Sequence, residues 1–404
     1  MNLIAISTDS IPLGQPLPFT LRGSDGALLA AKGYVIHSAS EVLSWLDRGV
    51  RLSVDTDESG ASYRAYMAQL SQMLNKDTAL GELAAVKMTG PAPLTATVRP
   101  RQEQKYTQDW GALQLRATQV LRAPLAGDFE GRFRPIMEEL VRHCELAPDA
   151  TLLALIFLSV QEKHMYSGTH AMLVSCVSMI VAREMLRWSP QRVLRVGEAG
   201  LTMNIAMTEL QDQLAQQTQP LTAQQISLVE THADRGVELL RRLGVADPAW
   251  LEAVKCHHHR TPGPFAERTE GQQMARLIQR ADVFGARLAP RALRNPMPVT
   301  AAMQASYYDE TRKVDEVGAA LVKALGIYPP GAFVKLASNE VGIVLRRGAT
   351  ATTPRVALVT NRNGLPTGEL IPRDTSQSAW KITGVVAFRE IKVQLSLPRL
   401  LALV

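Results

Sequence analysis

The sequence predicts a mainly α-helical protein with small β-rich modules at its two ends. Two observations carry that prediction. Apolar residues recur at three- and four-residue steps through the middle of the 404-residue chain, as on one face of a helix. Toward each end the pattern changes to short apolar runs separated by Gly- and Pro-containing turns, as in small sheets.

Taken in order, Leu17 to Leu21 reads as a strand, and Gly23-Ser24-Asp25-Gly26 supplies the turn after it. Ala27 to Ala31 and Tyr34 to Ile36 continue the pattern. Ser38 and Glu41 are spaced as a capping box for a short helix ending near Gly49, and Val50 to Val54 returns as a strand. Residues 1–60 are therefore expected to form one β-rich module. A connecting region follows over 61–149. It has a helix from Ser62 to Leu74, a Pro-rich linker from Met88 to Arg101, and a helical stretch from Tyr106 to Cys144 broken near Pro124 to Gly131. The main helical domain spans 150–348, with helical spacing through Leu152–Val160, Met172–Met185 and Ile226–Leu243 and a break at Asp247-Pro248. Val334–Leu336, Val341–Leu345, Val356–Thr360 and Val385–Phe388 read as strands, and 349–404 is expected to be a small β-rich extension.

Composition narrows the function. The formal charge is +6, from 44 Lys and Arg against 38 Asp and Glu, and the basic residues are dispersed. Nucleic-acid binding needs a concentrated basic face, so none is expected. Cys144, Cys176 and Cys256 are too few and wrongly spaced for a disulfide framework. Met1 to Ile11 lacks the marks of a signal peptide, and the most apolar stretch, Thr151 to Val160, is about half the length needed to span a bilayer. A cytoplasmic protein without a membrane span is expected. No phosphate-binding GxxxxGK[ST] loop or strand-borne GxGxxG occurs.

The chain has eight histidines, five of them between His170 and His259, with His257, His258 and His259 consecutive. Histidines on separate helices with a carboxylate nearby can build a metal centre, because neutral imidazole ligates borderline metals and a carboxylate can bridge two ions. Spacing alone leaves this open. A single helical histidine such as His170 or His232 is more often simply hydrogen-bonded, and a triple histidine at a helix end, before Pro262-Gly263-Pro264, also suits the negative end of the helix dipole.

The order of motifs resembles the HD-GYP family of cyclic di-GMP phosphodiesterases. The most distinctive match is Leu325-Gly326-Ile327-Tyr328-Pro329-Pro330-Gly331, followed by Val334-Lys335-Leu336 and Glu340-Val341-Gly342. Ala281-Asp282-Val283-Phe284 followed by Arg291 and Arg294 is similar to the family's ADxFDA and RPYR segments. Thr231-His232 with Gly236 is similar to HPxxG, His257-His258 to HHE, Tyr166–His170 to the helix bearing the first histidine ligand, and Pro220-Leu221-Thr222 to the family's G-P-L-T. The resemblance covers about Thr151 to Gly348, and Gly14 to Val54 resembles the module often found ahead of such domains. It implies an HD-domain-like helical bundle, a metal centre drawn from His170, His232, His257, His258 and Asp282, and phosphate contacts through Arg291 and Arg294, to which spacing adds Arg287 as a candidate. Those three arginines, at three- and four-residue spacing, are expected on one helix face.

The departures lie in the chemistry. Met203-Asn204-Ile205-Ala206-Met207 stands where the family has H-D-x-G-K, so the defining His is Met203, the Asp is Asn204 and the Lys is Met207. Pro262 to Glu267 replaces the D-G-x-G-Y-P loop and has no Tyr. His259, Gly285 and Leu293 replace a Glu, an Asp and a Tyr. Asn204 is neutral and Met203 offers a soft thioether ill-suited to iron or manganese. The expectation is a degenerate member without catalytic residues, holding no metal or one residual iron or manganese ion rather than two. It would act in signalling by binding cyclic di-GMP or a signalling protein. An active metal-dependent phosphodiesterase with a rearranged site and a structural or assembly protein without nucleotide are the alternatives; a homodimer stays open.

Overall fold

The structure, a computed structural model, describes residues 109–404 apart from 162, 163, 262 and 293. Ahead of residue 56 it describes residues 3–5, 11, 16–17, 19–37, 41–42, 45–46 and 52–55. The helix expected over Ser62–Leu74 and the linker over Met88–Arg101 lie outside the described residues, as does most of the helix expected after Ser38. The protein is mainly helical, with small sheets toward both ends. Two compact units divide it: residues 1–105 with 336–342 and 357–373, and residues 106–335 with 343–356 and 374–404.

In the smaller unit, β1 (Leu3–Ala5), β2 (Leu21–Gly23), β3 (Leu28–Ala30) and β4 (Leu52–Asp55) form an antiparallel sheet of order β1-β4-β2-β3. Leu21 pairs with Val54 and Leu3 with Asp55. The expected strand over Leu17–Leu21 begins only at Leu21. Among the described residues before it, Pro16 bridges Val35 and the Leu17 N–H donates to the Tyr34 carbonyl at 2.8 Å. Ile11, Leu17, Phe19, Leu21, Ile36, Leu52 and Val54 make the core. Arg22 is fully buried and donates to the Gly26 carbonyl at 2.9 Å and to the Pro366 carbonyl. A Cβ on Gly368 would lie 2.2 Å from Thr20 Oγ1, so residues from far along the chain close this unit.

The helical unit contains α1 (Trp110–Arg122), α2 (Phe129–Leu146), α3 (Pro148–Ser159), α4 (Tyr166–Glu184), α5 (Pro190–Thr202), α6 (Thr208–Gln216), α7 (Ala223–Glu230), α8 (His232–Arg242), α9 (Pro248–Cys256), α10 (Glu270–Leu288), α11 (Val299–Tyr307) and α12 (Glu316–Leu325). Near the chain end lies α13 (Leu397–Leu401). Helix α4 is buried from Tyr166 to Ala182, which is why its sequence is apolar or small all round rather than striped. It packs against α1, α3, α5, α6 and α10. Gly200 lets α5 approach, since a Cβ there would sit 3.2 Å from the Ser175 Cα.

Local chemistry sets most helix starts. Asp247 caps α9 ahead of Pro248, Thr222 with Gln225 and Thr269 with Gln272 form capping boxes on α7 and α10, and Asp315 caps α12. The continuous helix expected over Ile226–Leu243 is instead two helices. Thr231 turns its hydroxyl back onto the Ser227 carbonyl at 2.7 Å and ends α7. Further on, β5 (Phe333–Leu336), β6 (Val341–Arg346), β7 (Arg355–Thr360), β8 (Pro366–Asp374) and β9 (Ile382–Val386) form a sheet of order β8-β7-β6-β5-β9. Strand β8 is absent from the sequence reading because it contains two prolines and a glycine. It is an edge strand, where proline is tolerated. The Pro329-Pro330-Gly331 turn needs its glycine twice over: φ is +91°, and a Cβ would lie 2.8 Å from Ile156 on α3.

Candidate metal centre

Helix α4 opens on a polar clamp. The Asp212 carboxylate of α6, almost fully buried, accepts from the Ser167 N–H and the Ser167 hydroxyl, both at 2.7 Å. Its Oδ2 also takes two donors from Arg122 on α1, at 2.9 and 2.7 Å. An anion at the first turn suits the helix dipole, and the clamp fixes where Tyr166 and His170 emerge. Sequence reasoning missed this group. Arg122, Ser167 and Asp212 lie far apart in the chain and carry no shared local pattern.

One turn into α4, the His170 imidazole is buried, stacks on Tyr166 with ring centroids 5.4 Å apart, and sets Nε2 2.7 Å from Asp282 Oδ1 on α10. Gly285, one turn after Asp282, makes this possible. A Cβ there would sit 3.1 Å from His170 Nδ1 and 3.3 Å from Leu173. Burial alone would raise the Asp282 carboxyl, but the His170 hydrogen bond and the neighbouring imidazoles of His258 and His257 hold it at about 2.

The second group forms where two helix termini meet. His232 is the first residue of α8, and His257 follows the last residue of α9. Each Nδ1 contacts the carbonyl three residues back, Val229 at 2.5 Å and Val254 at 2.6 Å. The two Nε2 atoms then face each other at 3.2 Å. His258 joins them with its ring 4.1 Å from His257 and 5.1 Å from His232 between centroids. Ligating atoms of His232, His257 and His258 all lie within 4.8 Å of one another, a group neither His170 nor Asp282 enters. His232 and His257 are buried, and His258 is exposed. Burial, with the nearby charges of His258 and His232, pushes His257 down to about 3; burial likewise lowers His232. Buried neutral imidazoles oriented by carbonyls have the character of metal ligands. These residues fit a cation, which bound there would supply Lewis-acid polarisation of a substrate oxygen.

The Met203-to-Met207 segment ends α5 and continues into a short 3₁₀ turn. Met203 is fully buried, and Asn204 Oδ1 is buried without a hydrogen-bond partner. The segment packs beside α8: a Cβ on Gly236, one turn beyond His232, would lie 4.0 Å from the Met203 carbonyl. Met207 is half-buried.

The helix-face placement of Arg287, Arg291 and Arg294 is corrected by the structure. Helix α10 ends at Leu288, and Ala289 is extended, as expected of a residue before proline. Arg287 is in the last helical turn, whereas Arg291 and Arg294 pair in a tight turn, the Arg291 N–H donating to the Arg294 carbonyl at 2.9 Å. The cluster persists on that turn. Arg291 lies 3.4 Å from the Tyr166 hydroxyl and over its ring, while burial and the charges of Arg291 and Arg287 depress Arg294. Leu293 and Pro262 lie outside the described residues; Phe265–Glu267 forms a short 3₁₀ turn. No single helix among the described residues is long and apolar enough to cross a membrane.

Fold and site together define a mainly helical domain with a histidine centre. The chain is 29% identical over 226 residues to a cyclic di-GMP phosphodiesterase of Pseudomonas aeruginosa, across 55% of this chain and 53% of that protein. The resemblance to cyclic di-GMP phosphodiesterases read from the sequence is borne out by this relative. The chain thus spans about half the length of the curated relative it matches. A solved structure similar to it is an HDG"Y"P protein from Bdellovibrio bacteriovorus, at 14% identity and TM-score 0.39, over 79% of this chain and 98% of that one. No protein-family model matches the chain.

Proposed function

We propose that this chain is a cyclic di-GMP-linked signalling protein that works by binding a nucleotide or a protein partner, without turnover. The observation that carries this reading is the replacement of the HD pair by Met203 and Asn204. The one is a buried thioether, and the other a neutral amide whose carbonyl oxygen is buried and unpaired. Two cations held close together need a bridging anion to offset their repulsion. Asp282, the remaining carboxylate of the expected set, is engaged by His170. The centre therefore holds one metal ion at most. Met207 contributes no cation to a phosphate.

Arg291 and Arg294 are exposed, and Arg291 is braced by Tyr166 one helical turn from His170. Guanidinium groups suit bidentate phosphate contact, and a cyclic dinucleotide presents two phosphates. A second reading, a metal-dependent cyclic di-GMP phosphodiesterase, draws on the activity named for the Pseudomonas relative and on the convergence of three imidazoles. Calorimetry with cyclic di-GMP on the metal-depleted protein tests the first reading, which expects saturable binding without metal. Binding that appears only once metal is added would favour the second. A flat titration in both states would remove the nucleotide and leave a protein partner as the ligand.

A further inference from the structure

Within the expected ligand set, His232, His257 and His258 gather their ligating atoms within 4.8 Å while Asp282 is hydrogen-bonded to His170, and that arrangement bears on which metal the protein takes. His232 and His257 each turn Nδ1 onto a backbone carbonyl. A carbonyl can only accept, so in the neutral rings both hydrogens are on Nδ1 and both Nε2 atoms carry lone pairs. Those lone pairs face each other across 3.2 Å inside the protein, and neither nitrogen has a hydrogen to offer the other. A cation between them resolves that contact. Two nitrogens bound tetrahedrally at zinc's usual bond length are about 3.3 Å apart, close to the spacing present.

His258 is the third donor and is exposed, so an ion can enter from solvent and keep an open position. The neighbouring carboxylate has another partner: Asp282 Oδ1 is 2.7 Å from His170 Nε2, and neither residue is among the three whose ligating atoms gather within 4.8 Å.

We propose that this chain binds a single zinc ion through the imidazoles of His232, His257 and His258, with His170 and Asp282 outside the coordination sphere. A donor set of three neutral nitrogens and no protein oxygen disfavours manganese, which suits carboxylates, and binds zinc more tightly than ferrous ion by the general order of affinities. Zinc is also at ease with three protein ligands and one open position. This displaces the iron or manganese expected from the family resemblance. The inference does not depend on nucleotide binding or on turnover.

The test uses the full chain, stripped with chelator and dialysed. Zinc and manganese are titrated in competition with a chromogenic chelator, and cobalt is added separately as an optical probe of coordination. The expected result is one zinc per chain, bound at least about a hundredfold more tightly than manganese, as their order of affinities predicts. Cobalt should give the intense visible bands of a four-coordinate site and lose them on addition of zinc. His258→Ala, at an exposed position that spares the core, should weaken zinc by about tenfold or more, whereas Asp282→Asn should change it by no more than about threefold, less than even an outer-shell partner usually costs. Circular dichroism melts of the stripped variants confirm that each is folded. Two zinc ions per chain, tighter binding of manganese, no binding at all, or an Asp282→Asn loss equal to that of His258→Ala would each overturn the assignment.

Discussion

Acid should destabilise the metal-free protein through His257 by an amount the structure fixes. The imidazole is fully buried, and that burial, with the charges of His258 and His232, holds it at about 3 against an unfolded value of 6.5. A base depressed in the folded state binds fewer protons than the unfolded chain throughout the interval between those values. Its contribution is therefore fully present above about pH 6.5 and is lost as pH falls toward about 3. The whole interval corresponds to roughly 5 kcal/mol, and the step from pH 7 to pH 5 to roughly 2 kcal/mol. Glu198 works in the opposite direction. Burial, with Glu130 and Asp247 nearby, raises its carboxyl from 4.5 to about 7, so its effect on stability worsens as pH rises between those values. The informative quantity is thus a difference. Urea unfolding followed by circular dichroism, in the presence of chelator at pH 7 and pH 5, is compared for wild type and His257→Leu. Wild type should lose roughly 2 kcal/mol more than the variant over that step. Parallel pH dependences in the two proteins would refute the buried, neutral assignment of His257.

Two further outcomes follow from the geometry. Asp212→Ala leaves the buried Ser167 N–H and hydroxyl without their acceptor and should cost roughly 1–3 kcal/mol in urea unfolding. A loss below about 0.5 kcal/mol, the range of ordinary surface substitutions, would show that the clamp does not hold α4. Replacing Arg291 and Arg294 together by Ala should weaken cyclic di-GMP binding by at least about tenfold, since each charge-assisted contact is worth roughly 1.5–3 kcal/mol. Calorimetry giving the same affinity for variant and wild type would place the nucleotide elsewhere.

What the sequence disclosed, and what it hid, divides by the range of the interactions involved. The cap of Asp247 before Pro248 is written within four residues, so the start of α9 was legible; the Thr222–Gln225 box that starts α7 is equally local but went unread. The histidines that converge were legible as residue types, but their partition was not. The 3.2 Å contact of His232 with His257 depends on two helix termini meeting, and the diversion of Asp282 to His170 depends on Gly285 having no side chain. The arginine spacing misled because Pro290 ends the helix before the periodicity runs out. Strand β8 was masked by its prolines, and the break at Thr231 by a hydroxyl turning back on its own helix. Nothing local links Arg122, Ser167 and Asp212.

Turnover of cyclic di-GMP tests the central claim most directly. Hydrolysis needs an activated water, cationic stabilisation of the phosphate and a fixed substrate, and these act as a unit. With Met203, Asn204 and Met207 in place of the family's residues, the account predicts no product above background over hours, with zinc, manganese or ferrous ion added. It predicts the same for Asn204→Asp alone. Product measured by chromatography that depends on added metal and vanishes in His232→Ala would contradict the account and establish the protein as a phosphodiesterase.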